Sequence, residues 1–84
     1  MTNTEIQKLV ERLQDQDRGV RRAAARALTG QAGEPEVRAA LLAAAQEDQH
    51  WWVRQAAAEV LAAQALAARV HGKIQGSAGE ERAQ

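Results

Sequence analysis

Histidines and acidic side chains are the residues of this chain that could take part in acid–base chemistry or hold a metal ion. Neither His50 nor His71 has a second ligand at metal-binding spacing, or a serine or cysteine nucleophile beside it. The paired acids lie at predicted turns or in the C-terminal tail, where solvated turn acids or helix caps are favoured over an acid–base pair, which would need burial. These pairs are Asp15/Asp17, Glu34/Glu36, Glu47/Asp48 and Glu80/Glu81. The sequence therefore predicts no catalytic residue and no metal site.

Phosphate and cofactor binding receive little support from the sequence. The six glycines form no spaced cluster before a helix, so no phosphate loop and no cofactor are predicted. Arg18, Arg22 and Arg26 are spaced i, i+4, i+8, a stripe that could bind a nucleic-acid backbone. Thirty-three residues later, Gln55 and Glu59 take the places of two of these arginines, and the 11 basic and 11 acidic residues balance. A solvated helix face is favoured, and nucleic-acid binding stays as the alternative.

Trp51 and Trp52 form the most unusual pair in the chain, which has no Phe and no Tyr. They precede a predicted helix, and tryptophan is enriched at the energetic centres of protein interfaces. Two adjacent rings at a helix start cannot easily both point inward. We therefore expect one ring to be largely buried and the other to be substantially exposed, where it can contact a partner.

The helices that must position these residues are indicated by an internal repeat. The stretch from Asp15 to Leu28 is repeated 33 residues later, from Asp48 to Leu61. A fixed period of this size is typical of a stacked helical repeat. Each copy has an apolar stripe at i, i+3, i+4, i+7 and i+8, and its alanines favour a helix. The predicted stripes are Val20, Ala23, Ala24, Ala27 and Leu28 in the first copy, and Val53, Ala56, Ala57, Val60 and Leu61 in the second.

The repeated motif, Asp-x-x-x-x-Val-Arg-x-x-Ala-Ala-x-x-Leu, resembles the second helix of a HEAT repeat. The resemblance is to the short type found in bacterial scaffold proteins and lyase-like families, and it covers roughly residues 5 to 68. It implies that the Asp and the Arg form a structural polar ladder linking neighbouring repeats. The residues concerned are Asp15 with Arg21 and Asp48 with Arg54. It also leaves open a role as a non-catalytic part of a lyase-like enzyme complex.

The predicted fold is all-α, with two antiparallel helical hairpins stacked as a fragment of an α-solenoid. The repeats cover about residues 5–30 and 35–71, with helices over about 5–14, 19–29, 35–47 and 52–71. Thr2 with Glu5 fits a capping box, Gly30 fits a left-handed helix end, and Pro35 fits the first position of a helix. Residues 72–84 contain three glycines and are predicted to be a flexible tail.

The predicted function is protein–protein interaction or scaffolding without catalysis. Leu42 and Leu66 lie outside the simple stripes of their helices, and with Trp51 and Trp52 they form the predicted partner-binding set. About three or more repeats are normally needed for a stable stack, and this chain has two. We therefore expect a protein partner, a homo-oligomer, or a place in a longer repeat protein. A sequence of 84 residues without cysteine, signal peptide or apolar span predicts a cytoplasmic protein that does not enter a membrane.

Overall fold

The computed structural model of the protein describes the backbone of residues 1–83 and the side chains of residues 1–69. Residues 1–83 form four α-helices and no strand, which confirms the all-α fold. The helices are α1 (Asn3–Arg12), α2 (Arg18–Ala27), α3 (Pro35–Glu47) and α4 (Trp51–Ala83). The side chains of His71, Glu80 and Glu81, weighed above as candidates, lie outside the described residues.

The first helix begins at a capping box, as predicted. Thr2 Oγ1 accepts the backbone N–H of Glu5 at 3.1 Å, and Glu5 Oε1 accepts the backbone N–H of Thr2 at 3.2 Å. Two helix-end amides that would otherwise lack partners are satisfied, so α1 begins at Asn3 rather than near residue 5. The bond from the Thr2 backbone, followed by that from its hydroxyl, holds the pKa of Glu5 below its usual range.

The other helix ends also follow local signals. Asp17 caps α2, since its Oδ1 accepts the backbone N–H of Gly19 at 2.7 Å. His50 precedes α4, and its Nδ1 accepts the backbone N–H of Trp52 at 3.2 Å. Gly30 has φ +89°, the left-handed conformation expected of it, and Pro35 occupies the start of α3.

The two hairpins, α1–α2 and α3–α4, lie side by side. α1 packs on α3 and α2 packs on α4, so each helix of the first repeat meets its counterpart in the second. Half of the buried apolar residues among the described side chains are alanines, so the helices contact one another through small residues. The buried set is Leu13, Ala24, Ala25, Leu28, Ala32, Val37, Leu41, Ala44, Val53, Ala56, Ala57 and Val60.

The buried side of α2 differs from the predicted stripe. Ala24 and Leu28 are buried as expected, but Ala23 and Ala27 are exposed, and Ala25 is buried in their place. The stripe of α4 is buried from Val53 to Val60 as predicted, with Leu61 half-buried. The reason is that α2 is covered by the second repeat on one side only, and the buried side turns towards that repeat.

The first helices of the two repeats correspond at a spacing of 31 residues, not 33. In each helix the core-facing residues pair at this spacing, and α3 is three residues longer than α1, with 13 residues against 10. The pairs are Ile6 with Val37, Val10 with Leu41, and Leu13 with Ala44. The match of Leu42 to Leu9 at the 33-residue period therefore does not describe equivalent positions, and Leu42 is 46% exposed.

The last helix extends beyond the bundle that it helps to form. Its final buried residue is Val60, Gln64 is half-buried, and residues 65–69 are exposed. α4 is continuous to Ala83, whereas the sequence analysis ends it near residue 71. The glycines there weaken a helix by only about 1 kcal/mol each and do not block its geometry. Flexibility of residues 72–84 in solution stays a prediction, and Gln84 lies outside the described residues.

Candidate protein-binding surface

A bidentate ion pair joins the two hairpins. Arg21 donates from Nε to Asp48 Oδ2 at 2.8 Å and from Nη2 to Asp48 Oδ1 at 3.2 Å. The two side chains are 15% and 7% exposed, so water screens the pair only weakly. Arg21 Nη1 also donates to the backbone oxygens of Asp15 at 2.8 Å and Gln16 at 3.0 Å. One arginine therefore closes the turn before its own helix and holds the following repeat.

The environment of Asp48 favours its charged form. Burial raises the pKa of Asp48, but hydrogen bonds from the Arg21 side chain and the His50 backbone, together with the charge of Arg21, outweigh burial. The pKa of Asp48 consequently lies below the ordinary value of 3.8. The His50 backbone N–H reaches Asp48 Oδ1 at 2.9 Å, so this carboxylate also positions the residue that precedes α4.

Arg54 and Asp15, the other members of the predicted ladder, do not meet. Arg54 Nη1 donates to the backbone oxygen of Asp48 at 2.7 Å, which reproduces the bond from Arg21 to the backbone oxygen of Asp15. Asp15 Oδ1 accepts the backbone N–H of Asp17 at 2.8 Å. Among the side chains of residues 1–69, Arg21 and Asp48 form the only salt bridge, so the carboxylate partner of Arg21 belongs to the next repeat.

Both tryptophans are exposed, and the prediction that one would be largely buried is wrong. Trp51 is 60% exposed and Trp52 is 38% exposed. The two rings flank His50, at centroid distances of 6.2 Å for Trp51 and 5.9 Å for Trp52. The guanidinium carbon of Arg22 lies 4.3 Å from the centre of the Trp52 ring, a cation–π contact between α2 and α4. Trp52 therefore contributes to packing between repeats, and Trp51 is left more open.

The four residues of the predicted partner-binding set lie on different sides of the molecule. Trp52 and Leu66 are 14 residues apart, four helical turns, and share the outward side of α4; Leu66 is 58% exposed. Trp51, one residue earlier, is rotated by about 100° from Trp52. Leu42 is two residues from Ala40, which with Val10 lines the groove between α3 and α1, so Leu42 lies on the side of α3 away from α1.

The arginine stripe is interrupted by the fold. Arg18 and Arg26 are exposed, but Arg22 is half-buried against Trp52. A shallow groove of about 230 Å³ between α2 and α4 is lined by Arg22 and Arg26, but also by Glu59. A carboxylate in the same groove opposes the binding of a phosphate. The three arginines therefore do not present one uniform cationic surface.

The remaining features of the described residues offer no catalytic arrangement. A groove of about 620 Å³ between α1 and α3 contains the polar groups of Arg21 and Asp48, which bind each other. Among the residues searched, no three His, Cys, Asp or Glu side chains come close enough to hold a metal ion. No helix of the described part of the chain is long and apolar enough to cross a membrane.

Sequence reasoning missed His50 as a structural residue, and it missed the difference between the two ends of the stack. His50 was weighed only as a poor cap and a possible ligand, yet it caps α4 and lies between both indoles. Alignment of the two copies places Ala25 opposite Ala58, but no local signal distinguishes the buried alanine from the exposed one. Only the number of neighbouring repeats decides this difference.

Comparison with known proteins gives one match. The family model described as HEAT repeats matches residues 6–78. No curated protein and no solved structure matches the chain significantly. HEAT repeats generally mediate protein–protein interaction or scaffolding, and the family is generally non-catalytic. Since two helical hairpins stack here through equivalent helices and the family model covers most of the sequence, the chain belongs to the HEAT-repeat family.

Proposed function

We propose that this protein is a non-catalytic protein-binding module, with Trp51 at the centre of the surface that contacts the partner. The observation that carries the proposal is the 60% exposure of Trp51. Tryptophan is among the residues that contribute most to binding energy when a partner buries them. Leu42, at 46% exposure, adds apolar surface on the side of α3 away from α1. Trp52 and Leu66 form a second, outward-facing part of the predicted set.

The polar groups of the described residues support binding rather than catalysis. No buried side-chain nitrogen or oxygen in residues 1–69 lacks a hydrogen-bond partner. Catalytic groups are commonly left with a shifted pKa and a free atom facing a cleft. Asp48 is the buried carboxylate with a shifted pKa, and both of its oxygens are occupied by Arg21. The cytoplasmic location and the absence of catalytic activity belong to the same proposal.

Nucleic-acid binding is the second candidate, favoured by the exposed guanidinium groups of Arg18 and Arg26. The contact of Arg22 with Trp52 and the presence of Glu59 in the same groove count against it. A non-catalytic part of a lyase-like complex differs from the main proposal only in the identity of the partner. Nucleic-acid binding predicts an affinity that falls steeply with salt and weakens in Arg18→Ala and Arg26→Ala.

The experiment uses the immobilised chain to capture proteins from a lysate of its source organism, with each captured protein quantified. Trp51→Ala and Leu42→Ser are compared with Gln46→Ala, a matched control on the exposed side of α3. We expect captured partner to fall about tenfold or more in Trp51→Ala, and little in Gln46→Ala. Equal capture by all variants, with helical content unchanged, would overturn the role of Trp51.

A further inference from the structure

Corresponding positions of α2 and α4 are buried differently in the two repeats. Ala25 is 0% exposed, whereas its counterpart Ala58 is exposed. The reverse holds for Ala56, which is 3% exposed, while its counterpart Ala23 is exposed. Because α2 and α4 pack on each other, the side of Ala25 faces a following repeat and the side of Ala56 faces a preceding one.

The stack therefore has two uncovered ends that match each other in shape. The C-terminal end face consists of Trp51, Arg54, Ala58 and Ala62, which lie on or beside the side of α4 that a following repeat would cover. The N-terminal end face consists of Asp15, Ala23 and Ala27. Where α2 meets α4 within the chain, the same helix sides are joined through alanines. Small side chains at both ends allow the same close approach again.

The charges at the two ends are also complementary. Within the chain, the Arg21 guanidinium holds the Asp48 carboxylate of the next repeat. Arg54, the counterpart of Arg21, presents its guanidinium at the C-terminal end and donates there to a backbone oxygen. Asp15, the counterpart of Asp48, presents its carboxylate at the N-terminal end and accepts a backbone N–H of its own turn. Each end thus carries one half of the ion pair that joins the repeats.

We propose that a second copy of this chain packs its N-terminal end face on the C-terminal end face of the first, so that the repeat continues from one chain to the next. In this contact Arg54 of one protomer donates to the Asp15 carboxylate of its partner, as Arg21 donates to Asp48 within one chain. The contact also covers Trp51 and Ala58. This inference rests on the proposed function, for which it names the partner.

Complementary ends favour this head-to-tail contact over a two-fold dimer. A two-fold contact between two C-terminal end faces would bring Arg54 of one protomer near the same positive surface of its partner, with no carboxylate from Asp15. A head-to-tail contact joins unlike charges, but it leaves one end of each type open. Linear assemblies that lengthen with concentration follow, rather than a closed dimer.

The test is a charge exchange followed by sedimentation from micromolar to millimolar concentration at low salt. We expect the wild-type mass to rise continuously above the 9.1 kDa of one chain. Arg54→Asp or Asp15→Arg alone should raise the dissociation constant by about 30-fold or more, because like charges then meet. An equimolar mixture of these two variants restores both types of opposite-charge contact, so assembly should return only on mixing.

Matched variants separate this contact from a general effect of charge or folding. Arg26→Asp and Glu59→Arg make the same charge changes on exposed residues outside both end faces, and should leave assembly unchanged. Ala58→Glu keeps Arg54 and its bond to Asp48, and should block assembly without lowering the melting temperature. Ala63→Glu, exposed elsewhere on α4, is its control.

Three outcomes would overturn the inference: a wild-type monomer at all concentrations, a closed dimer of twice 9.1 kDa, or assembly that ignores the charge exchange. The proposed function is judged separately. A wild-type monomer that still captures a different protein through Trp51 would remove the second copy as partner and keep the binding module. Assembly of the wild type without any other captured protein would support both the inference and self-association as the binding activity.

Discussion

Arg21 makes four hydrogen bonds, two to the Asp48 carboxylate and two to backbone oxygens of the preceding turn. We expect Arg21→Ala to lower the free energy of unfolding by about 1–3 kcal/mol, because Asp48 would lose its ionic partner while shielded from water. Urea denaturation measures this change. Arg18→Ala, at an exposed position, is the control and should cost less than about 0.5 kcal/mol. Arg54→Ala should fall between them, and equal losses for Arg21 and Arg18 would contradict the ladder.

Asp48 makes stability depend on pH in the acid range. Its pKa in the folded chain lies below the ordinary 3.8, so ionisation stabilises the fold. This contribution is fully present above about pH 4 and is lost as the pH falls through the folded-state pKa. We expect Asp48→Asn to melt below the wild type at neutral pH, and the difference to shrink in acid. Thermal melts of both proteins measure it; a difference that stayed constant down to about pH 2 would contradict the linkage.

At the scale of helices, Gly30 ends α2 in a conformation that other residues avoid. Its φ is +89°, and a Cβ built there meets no atom within 4 Å, so the cost of Gly30→Ala comes from the backbone alone. We expect a loss of about 1 kcal/mol in the free energy of unfolding. Gly33→Ala is the matched control, because its Cβ would only touch Gln64 Nε2 at 3.4 Å and its φ is not in that region. A larger loss at Gly33 than at Gly30 would contradict this account.

The length of α4 predicts a gradient of hydrogen exchange along one helix. Amides from Ala56 to Val60 lie among buried side chains, whereas residues 65–69 have exposed ones. An unpacked helical end opens easily, because little tertiary packing stabilises it. We expect protection to fall after about one to two turns beyond Val60, and residues 72–84 to exchange fastest of all. Uniform protection from Ala56 to the end of the chain would show that another surface covers the extension.

At the scale of the whole molecule, a core rich in alanine leaves the stability with few large contributors. Leu28 and Leu41 are 0% exposed and are the largest fully buried side chains among those described. We expect Leu28→Ala to cost about 2–5 kcal/mol, a large part of the total stability of a small domain. Leu66→Ala removes the same atoms from a site that is 58% exposed and should cost little. Circular dichroism during heating measures both; a cooperative, unshifted melt of Leu28→Ala would contradict the core.

The same scale explains why both ends of the stack matter for function. A repeat buries its apolar side only against its neighbours, so the first and last repeats of any stack keep one open side. With two repeats, each is terminal. Ala23 at one end and Ala58 at the other are exposed for this reason, although both lie in the repeated motif. A surface for a partner is therefore a consequence of repeat number as well as of residue type.

The sequence by itself determined the features that depend on near neighbours in the chain. Thr2 and Glu5 satisfy each other within one turn, and Gly30 and Pro35 act through their own backbone geometry. Such signals are local and need no knowledge of the rest of the fold. The 33-residue repeat added the stacked arrangement of the two hairpins, because identical helices that cannot bury their sides alone must pack on each other.

Only the tertiary structure decided which alanines are buried and which charges meet. Ala23, Ala24, Ala25 and Ala27 surround much of α2, so the apolar pattern has too little contrast to identify its covered side. Arg21 could reach either repeated aspartate by its position in the motif, and the stacking of the hairpins brings Asp48 to it. These outcomes depend on how the helices lie in space, because the distances between residues far apart in the chain are set by packing rather than by spacing in the sequence.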